Sequence, residues 1–139
     1  MMKIKNMIFA TVCCVCLAVT GCNGNEAKES ISASDTTATY QQISQDEAKK
    51  MMDEEENIVI LDVRTQSEYE SGHIKGAICI PNESISESVS DFLKDKDQTI
   101  LVYCRSGNRS KQASQKLVDL GFTDVREFGG INTWQYETE

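Results

Sequence analysis

The stretch TILVYCRSGNRS, residues 99–110, joins a run of apolar residues to a short polar loop and the start of a new element. Residues 99–103 predict a buried central strand because they are almost continuously apolar. Apolar side chains then recur at helical spacing, which predicts a helix over 110–120. Strands followed by helices build α/β folds with parallel sheets. Ligands of such sheets bind beyond the carboxyl ends of the strands, where Cys104 lies.

Strand and helix patterns also alternate on both sides of this stretch. Ser44 with Glu47 predicts a capping box, and Thr65 predicts the cap of a short helix. Gly121 suits the left-handed position after the helix at 110–120, with Phe122 packing back on it in a Schellman arrangement. The other predicted elements are strands at 40–43, 58–63, 77–80 and 125–128 and helices within 44–52, 65–72 and 86–93. The pattern predicts an α/β domain with a mainly parallel central sheet.

The loop after the central strand has the features of a site that ionises a cysteine. A tight loop around Cys104 can direct consecutive backbone N–H groups at its sulfur, and the following helix adds partial positive charge. Both effects lower the pKa of a cysteine. Gly107 permits the backbone torsions that such a loop requires. Ser106 and Asn108 are small and polar, so they leave the mouth of the loop open for a substrate.

Two arginines in the loop predict an anionic substrate. Arg105 and Arg109 place permanent positive charges beside Cys104. We expect them to bind a small dianion such as thiosulfate and to stabilise the sulfite that leaves when its outer sulfur is transferred.

The chain lacks groups that other mechanisms need. Its only histidine is His73, far from Cys104 in sequence, and no close pair of carboxylates stands out. Transfer of sulfur from thiosulfate needs neither, because sulfite leaves without a proton and a thiolate needs no base. We therefore expect neither a metal nor another cofactor.

Each cysteine of the domain has a structural alternative. Cys104 could be a buried, inert residue at a strand end, but the glycine and arginines around it favour reactivity. Cys79 lies within the apolar run 77–80, which favours a small core residue over a resolving thiol.

The N-terminus predicts export and lipid attachment. Residues 1–21 have basic Lys3 and Lys5, an apolar run and small residues at the end, as in a secretory signal peptide. Gly21 followed by Cys22 resembles a bacterial lipobox, in which the cysteine is lipidated. The alternative is an ordinary signal peptide with an incidental cysteine. Polar residues make 22–39 a flexible tether to a domain at 40–139, on the outer face of the cytoplasmic membrane or on the outer membrane.

Net charge excludes some partners. Removal of residues 1–21 takes away Lys3 and Lys5 but no acid, which leaves 12 basic against 22 acidic residues and a charge of −10. Such a chain is repelled by nucleic acid and by anionic lipid, so acyl chains rather than charge would hold it at a membrane. A monomer is the default for one small acidic domain.

Three groups of residues, in this order along the chain, carry a family resemblance. The first group is Leu61-Asp62-Val63-Arg64, Glu68-Tyr69, Gly72-His73-Ile74, Gly76-Ala77 and Ile80-Pro81. The second is the loop at 103–110, and the third is Gly121-Phe122, Val125, Gly129-Gly130 and Trp134. Together they resemble the rhodanese-like domain family over residues 40–139. The resemblance implies a three-layer α/β/α domain in which Cys104 alternates between thiolate and persulfide within a cradle formed by residues 105–109. It implies a sulfurtransferase that moves sulfane sulfur from thiosulfate or a related donor to a thiol or cyanide.

Four further residues receive supporting or structural roles. Asp62 and Arg64 end a strand, where they either brace the loop through ionic hydrogen bonds or form a surface ion pair. His73 is expected to be a hydrogen-bonded structural residue rather than a catalytic one. Trp134 is expected to close the core, although it could also wall the pocket.

Two other functions fit the same resemblance. Cell-cycle tyrosine phosphatases share the rhodanese fold, and a phosphatase or arsenate reductase would use a similar loop. Their loops have five residues between cysteine and arginine, whereas four separate Cys104 from Arg109 here. The other alternative is a module that binds a partner or relays persulfide without turnover.

Overall fold

The computed structural model of the protein describes residues 38–139. Within them lie five strands and three α-helices. The strands are β1 (Gln41–Gln42), β2 (Val59–Asp62), β3 (Ile78–Cys79), β4 (Ile100–Cys104) and β5 (Val125–Gly130), and the helices are α1 (Gln45–Glu54), α2 (Gln66–Glu70) and α3 (Asn108–Asp119). Short 3₁₀ helices occupy Asn82–Ser84, Glu87–Asp91 and Ile131–Thr133.

The five strands form one sheet in the order β1-β5-β4-β2-β3, and every neighbouring pair is parallel. All five residues of β4 are buried. This explains its continuous apolar sequence, since a central parallel strand is covered on both faces. The parallel sheet confirms the predicted α/β class and brings the carboxyl ends of β2, β4 and β5 to one edge.

Helices cover the two faces of the sheet. Ile100, Val102 and Cys104 point to the face where α3 contributes Ala113 and Leu117. The alternate residues Leu101 and Tyr103 point to the other face, where α1 contributes Ala48 and Met51. Because side chains alternate along a strand, β4 serves both cores. The three-layer α/β/α arrangement is therefore confirmed.

Several local predictions are confirmed. Ser44 accepts the Glu47 amide hydrogen at 3.1 Å, so the predicted helix cap is present, although the reciprocal bond that would complete a capping box is not formed. The reciprocal box occurs at Thr65 and Glu68. Gly121 has φ 91°, and the Phe122 amide donates to the Leu117 carbonyl at 3.1 Å, as a Schellman arrangement requires.

Two helix predictions are wrong in detail. Residues 86–93 contain only the 3₁₀ helix Glu87–Asp91. Serines occur at 86, 88 and 90, and serine is a poor residue for helix interiors because its hydroxyl can compete with the backbone for hydrogen bonds. Val89 and Leu93 of this segment are buried, whereas Phe92 is 74% exposed. The second error is the start of α3, which lies at Asn108 rather than Ser110 because Gly107, with φ 102°, is its cap.

The predicted signal peptide, Cys22 and most of the tether lie outside the described residues. Among residues 38–139, no helix is both long and apolar enough to cross a bilayer.

Candidate active site

Cys104 is the last residue of β4, and the chain turns around its sulfur before α3 begins. The side chain is 1% exposed. The Gly107 amide donates a hydrogen bond to Sγ at 3.1 Å. The left-handed conformation of Gly107 reverses the chain at this point, so the N-terminus of α3 also faces the sulfur. The loop proper is thus residues 105–107, and Asn108 and Arg109 belong to the first turn of α3.

The pKa of the Cys104 thiol is set by two opposing effects. Burial raises the pKa, because a desolvated thiolate is disfavoured. Hydrogen bonds to the thiolate lower it: one from the Ser110 hydroxyl when its hydrogen points to the sulfur, and others from the Ser110, Gly107 and Ser106 amides. The hydrogen bonds prevail, so the pKa lies below the ordinary value for cysteine. The arrangement favours a nucleophilic thiolate.

Gly130, at the end of β5, supports the loop from beneath. A Cβ at this position would lie 2.6 Å from the Ser106 amide nitrogen and closer still to the Arg105 carbonyl. The Arg105 carbonyl also accepts the Asn132 amide hydrogen at 3.2 Å. The loop backbone therefore rests on the β5 backbone, and no side chain fits between them. The resemblance included Gly130 but gave it no role.

The two loop arginines are in different environments. Arg105 is exposed, and no carboxylate pairs with it in the described part of the chain. Arg109 instead forms a bidentate ion pair with Glu68 of α2, with nitrogen–oxygen distances of 2.7 and 2.9 Å. Both arginines were predicted to place permanent charges beside Cys104; the charge of Arg109 is largely neutralised by Glu68, whereas that of Arg105 is not. The exposed Ser106 and Asn108 leave the mouth open.

Ser110 and Glu127 are site residues that were not predicted. The Ser110 hydroxyl lies 3.6 Å from the Cys104 sulfur and donates to Glu127 Oε1 at 2.6 Å. Glu127 is only 3% exposed. Period-two alternation in β5 puts Glu127 on the same inward face as Val125, and this signal could have identified it from the sequence.

Asp62 and Arg64 do not form a surface ion pair. They are 0% and 5% exposed, and the guanidinium binds the carboxylate at 2.6 to 3.0 Å. Tyr103 donates its hydroxyl hydrogen to Asp62 at 2.7 Å, and Arg64 also donates to the Gly72 carbonyl. The pair contacts the residue before Cys104, on the sheet face opposite the sulfur. It anchors β4 rather than the loop itself.

The remaining candidates lie away from the sulfur. Cys79 ends β3, two strands away from β4, and burial raises the pKa of its thiol. His73 stacks on Tyr69 at 3.7 Å and hydrogen-bonds its carbonyl, in the expected structural role. Trp134 packs on Phe128 in the α1-side core. Residues 38–139 contain no group of three or more His, Cys, Asp or Glu side chains suited to a metal ion.

Comparison with known proteins agrees with this geometry. The family model described as Rhodanese-like domain matches residues 44–137. The thiosulfate sulfurtransferase PspE of Escherichia coli is 38% identical over 71 residues, covering 51% of this chain and 68% of the relative. The thiosulfate sulfurtransferase GlpE of Coxiella burnetii is 38% identical over 97 residues, covering 69% and 88%.

A solved structure shows the same fold. The solution structure of a rhodanese-like domain from Anabaena sp. superposes with a TM-score of 0.66 at 31% sequence identity, covering 73% of this chain and 80% of that domain.

Proposed function

The chain belongs to the rhodanese-like domain family, and we propose that it is a sulfurtransferase that carries sulfane sulfur as a persulfide on Cys104. The observation that carries the proposal is the cradle around the sulfur, with a hydrogen bond from Gly107 and a lowered thiol pKa. The names of the two bacterial relatives support thiosulfate as a donor.

The first step loads the cysteine. The Cys104 thiolate attacks the outer sulfur of thiosulfate, a new S–S bond forms, and the donor's own S–S bond breaks. Sulfite leaves with the electron pair and needs no proton. Arg105 is exposed at the mouth of the loop, where its charge attracts the donor dianion. Arg109 contributes less to this attraction because Glu68 already pairs with it.

The second step removes the outer sulfur from Cys104. A thiolate or cyanide attacks the terminal sulfur of the persulfide, and Cys104 leaves as a thiolate. The amides that stabilise the resting thiolate are also placed to stabilise this leaving group, so one cradle serves both steps. Neither step requires a general base or acid among the surrounding side chains.

The shortness of the loop argues against phosphate or arsenate as substrate. Only the three residues 105–107 separate Cys104 from the first residue of α3. The amides converge on the sulfur, with Gly107 at 3.1 Å. This arrangement suits one sulfur atom rather than a tetrahedral oxyanion bound above it.

Intact mass of the purified protein before and after incubation with thiosulfate tests the proposal. We expect a gain of one sulfur atom that cyanide reverses. Cys104→Ser should gain none, whereas Cys79→Ser should gain sulfur like the unaltered protein. Persistent absence of added sulfur, with Cys104 still open to alkylation, would contradict the proposal, as would hydrolysis of para-nitrophenyl phosphate that depends on Cys104.

A further inference from the structure

The Ser110 hydroxyl has one hydrogen and several acceptors around it. Glu127 Oε1 lies at 2.6 Å, the Gly107 carbonyl at 2.9 Å and the Gly129 carbonyl at 3.3 Å, while the Cys104 sulfur lies at 3.6 Å. Ser110 is fully buried, so these groups of the protein surround its hydroxyl directly. A hydroxyl can donate to only one of these groups at a time.

Glu127 is the strongest competitor for that hydrogen. Its carboxylate has no cation partner among the described residues and depends on hydrogen bonds alone. Besides Ser110, it accepts the Gly129 amide hydrogen at 2.9 Å and a longer bond from the Gln42 side chain at 3.4 Å. A carboxylate is a better acceptor than a carbonyl, and the short Ser110 contact agrees with this.

The consequence for Cys104 follows from the same geometry. While Ser110 donates to Glu127, it presents only lone pairs to the sulfur, and this favours the thiol. To stabilise the thiolate, the hydroxyl must turn its hydrogen from Glu127 to the sulfur. We propose that Glu127 is a positioning residue that governs how much of Cys104 is thiolate by competing for the Ser110 hydrogen.

Few other charges face Cys104 and Glu127; Arg109, which is paired with Glu68, is near enough to Cys104 for their charges to interact. Glu127 lines a cleft of about 370 Å³ between the loop and the start of α1, together with Ser44, Gln45 and Ser106. The cleft's other charged side chain is Lys111 of α3, which is exposed. From β1, the facing side chain is the neutral Gln42. Cys104 and Glu127 are therefore the two groups whose charges Ser110 can couple directly.

The role of this device in sulfur transfer rests on the proposed function, but its test does not, because alkylation of Cys104 needs no sulfur donor. Glu127→Gln keeps the shape and the oxygen that binds Gly129, and it replaces the carboxylate by a weaker acceptor. Ser110 is then free to donate to the thiolate, so we expect the thiol pKa to fall.

The expected signature is a crossing of two pH profiles. A fall of one pKa unit gives tenfold more thiolate at acidic pH, but a less basic thiolate is about threefold less nucleophilic. Iodoacetamide should therefore alkylate Cys104 of Glu127→Gln about threefold faster than the unaltered protein near pH 5 and about threefold slower above pH 9. Glu87→Gln, the same change at an exposed position, should reproduce the unaltered profile.

Ser110→Ala separates this competition from simple charge repulsion. In the Ser110→Ala background, Glu127→Gln should have less than half of its effect on the logarithm of the rate, because the hydroxyl that transmits it is gone. An equal effect in both backgrounds overturns the proposal, as do profiles that do not cross.

Glu127→Asp serves if the glutamine variant does not fold. The shorter side chain keeps the negative charge but moves it away from Ser110. Alkylation of Cys104 near pH 5 should therefore also become faster, and an unchanged rate overturns the proposal. If the alkylation profiles do not change as expected but the protein still takes up sulfur, the role of Glu127 is refuted and the proposed function stands. If the profiles change as expected but no sulfur is taken up, only the proposed function is refuted.

Discussion

At the scale of single residues, the reactive loop is shaped by backbone that lies beneath it. Gly130 has an extended conformation that any residue could adopt, with φ −138°. It must be glycine for lack of space, because the backbone of Arg105 and Ser106 occupies the position of a Cβ. Gly76 is the opposite case, with φ +78° and nothing within 4 Å of a Cβ. Gly130 is thus needed for the loop to pack against β5, whereas Gly76 is needed only for the conformation of a turn.

Replacing Gly130 by alanine should therefore impair both stability and reactivity. We expect a loss of about 1–3 kcal/mol in the free energy of unfolding, as for other overpacked sites. Sulfur uptake should fall by roughly 100-fold, because the amides move off the sulfur. Gly76→Ala should cost about 1–2 kcal/mol from backbone strain alone. Urea unfolding and mass spectrometry check both variants, and a Gly76→Ala protein that also loses sulfur uptake would contradict the distinction.

At the scale of elements, Glu68 connects α2 to α3. It accepts hydrogen bonds from the Thr65 amide at 3.1 Å and hydroxyl at 3.0 Å, and it binds both terminal nitrogens of Arg109. The Arg109 guanidinium, with the Thr65 bonds, lowers the pKa of Glu68 from 4.5 to about 2, although burial opposes the shift. The first turn of α3, and with it the loop, is thereby attached to α2.

The sign of the pH dependence follows from this lowered pKa. The Glu68–Arg109 pair stabilises the fold fully above about pH 4.5, and its contribution disappears as the pH falls toward about 2. We expect Arg109→Gln to lower the free energy of unfolding by about 1 kcal/mol at pH 6, since the pair is partly exposed.

Urea unfolding at pH 6 and pH 2.5 measures this difference, which should be smaller at the lower pH. Lys50→Gln, which removes an exposed ion pair with Glu54, provides the control and should have little effect at either pH. A deficit of Arg109→Gln that grows on acidification would refute the assignment.

At the scale of the whole molecule, a buried polar network joins β2 to β4 and to the connection between α2 and β3. Asp62 binds Arg64 and Tyr103, and the Tyr103 hydroxyl in turn accepts the Ile74 amide hydrogen at 3.1 Å. Each charge is buried only because the other satisfies it. The network lies on the α1 side of the sheet, so its effect on Cys104 passes through the position of β4.

Asp62→Asn should destabilise the protein by about 3–5 kcal/mol, because it leaves the Arg64 guanidinium buried without its counter-charge. Asp124→Asn is the matched control, since its pair with Arg126 also spans two residues but has side chains about a quarter exposed. It should cost about 1 kcal/mol or less. Urea midpoints compare the two variants, and similar losses would show that burial of the Asp62 pair has no special importance.

Sequence patterns were enough to predict the α/β class, the alternation of strands and helices, and the position of Cys104 at the carboxyl end of a central strand. These features depend on local periodicity, on glycines and on caps, as at Gly121 and Thr65. Which charged and polar side chains pair with each other became visible only in the folded structure. Arg109 is neutralised by Glu68, 41 residues earlier, and Ser110 meets Glu127, 17 residues later. Such pairings depend on how distant elements pack, and periodicity within one element carries no information about its partner.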